Sequence, residues 1–222
     1  MRAGIIPCAG EGSRWGLFQK ELLPIGDQIW LIDNTISAMI KGNVDTIYIV
    51  TSPNKIHIHA NHFNKEKYKN LNLVYIIQKE KTDIWGAIKA ALPSSIDADL
   101  VYFGMPDTIY PPDIFWRMDN FSMAFDIMFG VFNTTMPERF GVFKDGEIVN
   151  KVPDTGTFKA WGTFSFSKYV TQFWLRANKN GYTENLNYAL NTFAYKLFDM
   201  DYYHDLAGWT DYQLWVSSTE HA

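Results

Sequence analysis

The segment "IIPCAGEGSRWGLFQKELLPIG", residues 5–26, decides how the rest of the chain is read. It leaves an apolar run, passes through Gly10, Gly12, Arg14 and Gly16, and reaches Lys20 and Leu23-Pro24 before Gly26. A glycine-rich, cationic loop directly after a first strand suits an anion. Glycines let backbone N–H groups approach phosphate oxygens. Arg14 offers a planar bidentate donor and Lys20 a compact point charge. Three kinds of loop compete. A dinucleotide fingerprint needs a third glycine three residues after the second, but Trp15 stands there and Gly16 comes one residue late. The acidic residue expected after the second strand is also missing, since that strand ends in Thr51-Ser52-Pro53. An ATPase loop needs Gly-Lys followed by Ser or Thr, which this segment lacks. What remains is a triphosphate cradle of another kind, or a plain glycine turn with surface cations.

Outward from the loop, short apolar runs alternate with helical patterns. Ile32, Ile36, Met39 and Ile40 recur at helical spacing within residues 29–41, and Gly42 is placed to end that helix. "TIYIVT", "LNLVYII" and "DLVYFG" read as strands, with helices opening near Pro53 and over residues 83–92. This alternation predicts an α/β fold, a Rossmann-like, mostly parallel sheet with helices on both faces. Ligands in such sheets sit outside the carboxyl ends of the strands, where both the glycine loop and "GMPDTIYPP" fall. The second half is strand-rich: "FDIMFGVF", "RFGVFKDGEIVNKV" with a hairpin turn at Asp145-Gly146, and "GTFSFS". Helices over 168–178 and 183–191 and a late strand in "TFAYKLFDM" follow. The expected organisation is one domain over 1–222. Residues 1–110 form a nucleotide-binding half, and 111–222 an acceptor-binding half with a smaller mixed-sheet lid.

A chain of 222 residues, 47% hydrophobic and 20% charged, can bury a sizeable core. Its net charge of −4 excludes nucleic-acid binding through a general basic field. Small phosphorylated substrates need only local positive charge. Cys8 is the one cysteine, so no internal disulfide forms and a reducing compartment is expected. The apolar runs are too short to span a bilayer and the first residues lack a signal-peptide pattern, so the expectation is a cytoplasmic protein without a membrane partner.

"AGEGSR…KELLPIGDQIWLID" resembles the signature of the sugar-phosphate nucleotidyltransferases, the nucleotide-sugar pyrophosphorylases that include glucose-1-phosphate thymidylyltransferase-like enzymes. Gly10, Gly12, Ser13, Arg14, Lys20, Leu23 and Pro24 match in order, and the resemblance runs from residue 2 to about 215. It implies that a sugar 1-phosphate attacks the α-phosphorus of a nucleoside triphosphate, giving an NDP-sugar and pyrophosphate with Mg2+. By the same resemblance, Arg14 and Lys20 are catalytic, and Ala9, Gly10, Gly12, Ser13, Gln78 and Asp107 bind the nucleotide. Gly141 in "RFGVFKDGEIVNKVPD", Lys151 and Gly162 in "AWGTFSFS" bind the acceptor. Asp107 and, in "GWTDYQLW", Asp211 hold the metal. Gln78 implies a pyrimidine triphosphate.

The chain departs from this pattern in places. Arg14 and Lys20 stand closer together than in most sugar enzymes, as in cytidylyltransferases of smaller phosphates. The family's Glu-Lys-Pro is replaced by Asn150-Lys151-Val152-Pro153, and the glycine expected after Gln78 has no clear counterpart in "KTDIWGAIKAA". Two rival readings are a cytidylyltransferase for a small non-sugar phosphate and a non-catalytic nucleotide-binding module. The joint presence of Arg14, Lys20, Asp107 and Asp211 speaks against the second. The oligomeric state stays open.

Other residues read blandly. In "HIHANH", only His59 and His62 share a helix face and no cysteine accompanies them, so a solvated helix is expected over a metal site. Cys8 reads as a packed small side chain rather than a nucleophile. Asp201 and Asp205 read as turn or capping residues as readily as ligands. Asp211 is alternatively the cap of a helix starting near Tyr212. Trp161, Phe164, Phe166 and Tyr169 read as core.

Overall fold

A computed structural model describes residues 1–10, 19–80, 82–153, 155–177, 179, 181–206 and 208–219. Strand β1 (Arg2–Pro7) buries both of its faces, as central parallel strands do. The loop and a 3-10 turn at Lys20–Leu22 lead to a short antiparallel pair, β2 (Pro24–Gly26) and β3 (Ile29–Trp30). Helix α1 (Leu31–Lys41) buries its Ile32, Ile36 and Met39 stripe, and Asp33 secures its start by accepting the Trp30 N–H at 2.8 Å. Then come the wholly buried β4 (Thr46–Thr51), α2 (Ile56–Phe63), β5 (Leu73–Ile77) and α3 (Ile84–Ala91). They are followed by β6 (Leu100–Gly104), the short β7 (Thr108–Ile109) and α4 (Ile114–Asp119).

The chain runs outward from β1 to β4 and β5, all parallel, then returns to pair β6 in parallel on the other side of β1. That reversal opens a crevice at the carboxyl ends of β1 and β6. Successive residues of the central strands feed opposite cores. Ile5, Val50 and Val101 belong to one, and Ile6, Ile49 and Tyr102 to the other.

The second half comprises β8 (Ile127–Thr134), β9 (Gly141–Lys144), β10 (Glu147–Asn150) and the long β11 (Phe158–Ser167). These are followed by α5 (Lys168–Arg176), α6 (Tyr182–Leu190), β12 (Tyr195–Asp199), β13 (His204–Asp205) and α7 (Trp209–Thr219). One edge of β11 pairs antiparallel with both β6 and β9, and its other edge with β8. The mixed region therefore continues the parallel sheet instead of forming its own, in the order β10-β9-β11-β6-β1-β4-β5 with β8 and β12 beyond β11. Asp145 and Gly146 take φ of 52° and 85°, the left-handed pair that a two-residue hairpin turn needs. No helix among the described residues is long and apolar enough to cross a membrane.

Helix α2 corrects the reading of "HIHANH" as solvated. His57 faces solvent, but His59 and His62 are 0% and 7% exposed. Trp30, Phe63 and Tyr68 pack round His62, and a buried Glu21 meets His59. Trp30, Tyr68 and Glu21 lie on other elements, so the helix pattern alone did not reveal the burial. Of the aromatic group read as core, Trp161, Phe164 and Phe166 are buried, whereas Tyr169 is 68% exposed.

Candidate active site

A cavity of about 350 Å³ opens where β1, β5 and β6 end, lined by Ala9, Gly10, Lys20, Gln78, Thr82 and Met105 among others. Four of the sequence-predicted residues thus meet there. Gly12, Ser13 and Arg14 lie outside the described residues. Gln78 is buried, and its amide nitrogen donates to Glu80 O at 3.1 Å and Thr82 Oγ1 at 2.9 Å, which uses both of its N–H donors. On α3, Gly86 packs closely against both of these side chains. A Cβ there would lie 1.5 Å from Thr82 Oγ1 and 2.9 Å from Gln78 Nε2, so glycine is what lets both side chains fold over α3.

Asp107, 3% exposed, lies between β6 and β7 and meets the cavity through Lys20. Its Oδ2 accepts from the Lys20 ammonium, while the buried Oδ1 has no hydrogen-bond partner among the described residues. Burial pulls the Lys20 pKa down, but the facing Asp107 carboxylate more than offsets this and raises it, so the lysine is a firm cation.

On the other side of Asp107, β13 pairs antiparallel with β7. Asp205 lies opposite Thr108, and Leu206 N–H donates to Asp107 O at 3.1 Å. Strand pairing therefore brings Asp205 beside Asp107. Burial and then the Asp107 charge push the Asp205 carboxyl up, although Arg139 partly relieves it. Arg139 Nη2 is 3.1 Å from Asp205 and 3.1 Å from Asp211, which sits in the first turn of α7. Arg139, Asp205 and Asp211 line a second cavity of about 410 Å³, with Phe140, Tyr203 and Trp215 as apolar walls. The charges Lys20, Asp107, Asp205, Arg139 and Asp211 thus run from one cavity to the other.

The acceptor-side candidates are more scattered. A Cβ on Gly141 would lie 2.4 Å from Trp161 Nε1, and one on Gly162 2.3 Å from the Tyr203 ring, so close packing accounts for both glycines. Lys151 is exposed just past β10, at φ 53°, and lines neither cavity. Sequence reasoning missed Arg139 and undervalued Asp205, whose position depends on a pairing with β7 far earlier in the chain. It also missed Lys55 and Glu21, buried beside Cys8 and Gly10 at 7% and 1% exposure. A glutamate inside the otherwise apolar "ELLPI" was the available signal. The neighbouring Cys8 thiol is pushed well up by burial and by the Glu21 charge, so it stays protonated and is no nucleophile.

A parallel sheet whose reversal point opens on a cavity lined by a firm lysine, itself paired with a buried carboxylate, defines a nucleotide-handling α/β enzyme. More particularly, the profile of the family described as nucleotidyl transferase matches residues 3–215, so the chain belongs to that family and is a nucleotidyltransferase. No curated protein matches it in sequence. Solved structures do match in fold. A Bacillus anthracis protein assigned as a glucose-1-phosphate thymidylyltransferase, solved with sucrose, aligns at TM-score 0.87 and 18% identity, over 100% of this chain and 96% of that one. UTP-bound UGPase from Acinetobacter baumannii aligns at 0.80 and 14%, over 99% and 93%. HddC from Yersinia pseudotuberculosis complexed with GMP-PN aligns at 0.73 and 19%, over 99% and 100%.

Proposed function

We propose that this enzyme joins a sugar 1-phosphate to a nucleoside triphosphate, releasing pyrophosphate and an NDP-sugar with the help of magnesium. The observation that carries the reading is the placement of Asp107. One of its oxygens accepts from Lys20, which lines the first cavity, its other oxygen is buried without a described partner, and the neighbouring Asp205 lines a second cavity. Two substrates that react through phosphate need two such spaces and a shared cationic centre between them.

In this reading Ala9, Gly10, Gly12, Ser13 and Arg14 cradle the triphosphate, and Lys20 counters charge building at the α-phosphate. The attacking group is already an anion, so no side-chain nucleophile is needed. The residues fit a hard cation: an orphaned carboxylate oxygen on Asp107 and, beside it, a carboxylate whose pKa is raised by burial and then by that charge. Asp107 and Asp205, rather than Asp211, would hold magnesium, which neutralises phosphate charge when bound. Gln78 Oε1 would accept the imide N–H of uracil or thymine, which favours dTTP or UTP ahead of CTP. The acceptor would occupy the cavity walled by Phe140, Tyr203 and Trp215.

The test is pyrophosphate release across the four ribonucleoside triphosphates and dTTP, each with a panel of sugar 1-phosphates and small non-sugar phosphates. A sugar 1-phosphate with dTTP or UTP is expected to turn over fastest. Preference for a non-sugar phosphate, or for ATP or GTP, would overturn the acceptor or the base assignment respectively.

A further inference from the structure

A charged cluster lies where Cys8 and Gly10 leave β1, beside the turn that begins at Lys20. The Lys55 ammonium donates to the backbone carbonyls of Cys8 at 2.9 Å and Gly10 at 2.8 Å, and to Glu21 Oε1 at 2.7 Å. An ammonium has three N–H donors, so all of them are used. The acceptors belong to different pieces of the site. Cys8 and Gly10 carry the chain out of β1 into the loop, and Glu21 belongs to the 3-10 turn that begins at Lys20. Glu21 is held in turn by His59 Nε2 at 2.8 Å, and His59 Nδ1 meets Thr51 Oγ1 at 2.8 Å at the end of β4. Cys8, Glu21 and His59 bring possible metal-binding atoms within 4.8 Å of one another, but Lys55 already supplies the cation there.

Burying an ion pair gains little stability over an apolar pair of the same shape. What the cluster adds is a fixed distance between two segments that stability alone does not require. We infer that Lys55, acting through Glu21 and the Cys8 and Gly10 carbonyls, is a positioning residue that sets the chain leaving β1 and the Lys20 turn at the separation a bound triphosphate needs. The inference rests on the nucleotidyltransferase reading above and names a part of that machinery not implied by it.

Lys55→Met keeps the stem and removes the ammonium. Because a misplacement of about 1 Å costs on the order of 10²-fold in rate, its kcat should fall by about that factor, with a smaller rise in the triphosphate KM. Amide hydrogen exchange at Leu22 and Leu23, whose N–H groups bond Gln19 and Lys20 carbonyls, should quicken about tenfold or more while the β1 and β4 amides stay protected. If stranding Glu21 unfolds that variant, Lys55→Met/Glu21→Gln removes both charges together and carries the test. Wild-type kcat in the folded variant, or lowered kcat with unchanged exchange at Leu22 and Leu23, would overturn the proposal. The exchange readout needs no turnover. A wild-type chain that releases no pyrophosphate would therefore defeat the enzymatic reading, while exchange still decides whether Lys55 anchors the turn.

Discussion

The two aspartates near Arg139 separate by their neighbours. Asp205 is 19% exposed in its side chain and feels the Asp107 charge, whereas Asp211 is 30% exposed and bonded through both oxygens to Arg139. Asp205→Asn removes charge where the proposed cation would bind and should lower kcat by about 10²-fold or more. It should also raise the magnesium concentration needed for half-maximal rate. Asp211→Asn keeps a hydrogen-bond acceptor for Arg139 at a half-exposed position and should change kcat by less than about tenfold. Steady-state rates against magnesium concentration check both. The reverse ranking would return the metal to Asp211.

Among the elements, α2 carries the clearest pH dependence. Burial first, and then the Lys65 charge, pull His62 down from 6.5 to about 4, with Lys67 and His59 acting the same way and Asp33 opposing. Its Nε2 meets Tyr68 Oη at 3.1 Å, and its Nδ1 lies 3.3 Å from Lys65 Nζ. The folded value lies below the unfolded one, so the unfolded chain takes up this proton first as pH falls. The stability it contributes is fully present above 6.5 and is lost progressively on the way down to about 4. Between about pH 7 and pH 5 this amounts to roughly 2 kcal/mol, or about 5 °C in Tm. Melting curves of the wild type and His62→Gln at the two pH values check it, with the variant expected to lose less. Equal losses in both would show that His62 is not held neutral by the fold.

At the scale of the whole molecule, β11 ties the halves together. Its residues 163–167 pair with β6 of the first half, and its residues 158–166 pair along the opposite edge with β8. A sheet shared in this way leaves no boundary at which one half could unfold alone. If the chain folds as one domain over 1–222, far-ultraviolet circular dichroism and tryptophan fluorescence give coincident denaturant transitions, and that is the expected outcome. Two separated midpoints would divide the nucleotide-binding half from the acceptor half.

Much of this was legible in the residues alone. The strand–helix alternation predicted the parallel core, and local motifs singled out Lys20 and Gln78, which the fold brings round one cavity, and Asp107, which meets Lys20. Such features are written within a few neighbouring positions, through periodicity and turn chemistry. Tertiary structure alone decided the rest. The pairing of β13 with β7 chose Asp205 as the neighbour of Asp107. The docking of α2 against Glu21, Trp30 and Tyr68 buried two histidines that the helix pattern left open. Lys55 met the loop carbonyls only once β1, β4 and the Lys20 turn had converged. Each of these depends on where a distant segment returns, and burial and long-range register leave no mark on the short stretch that carries the residue.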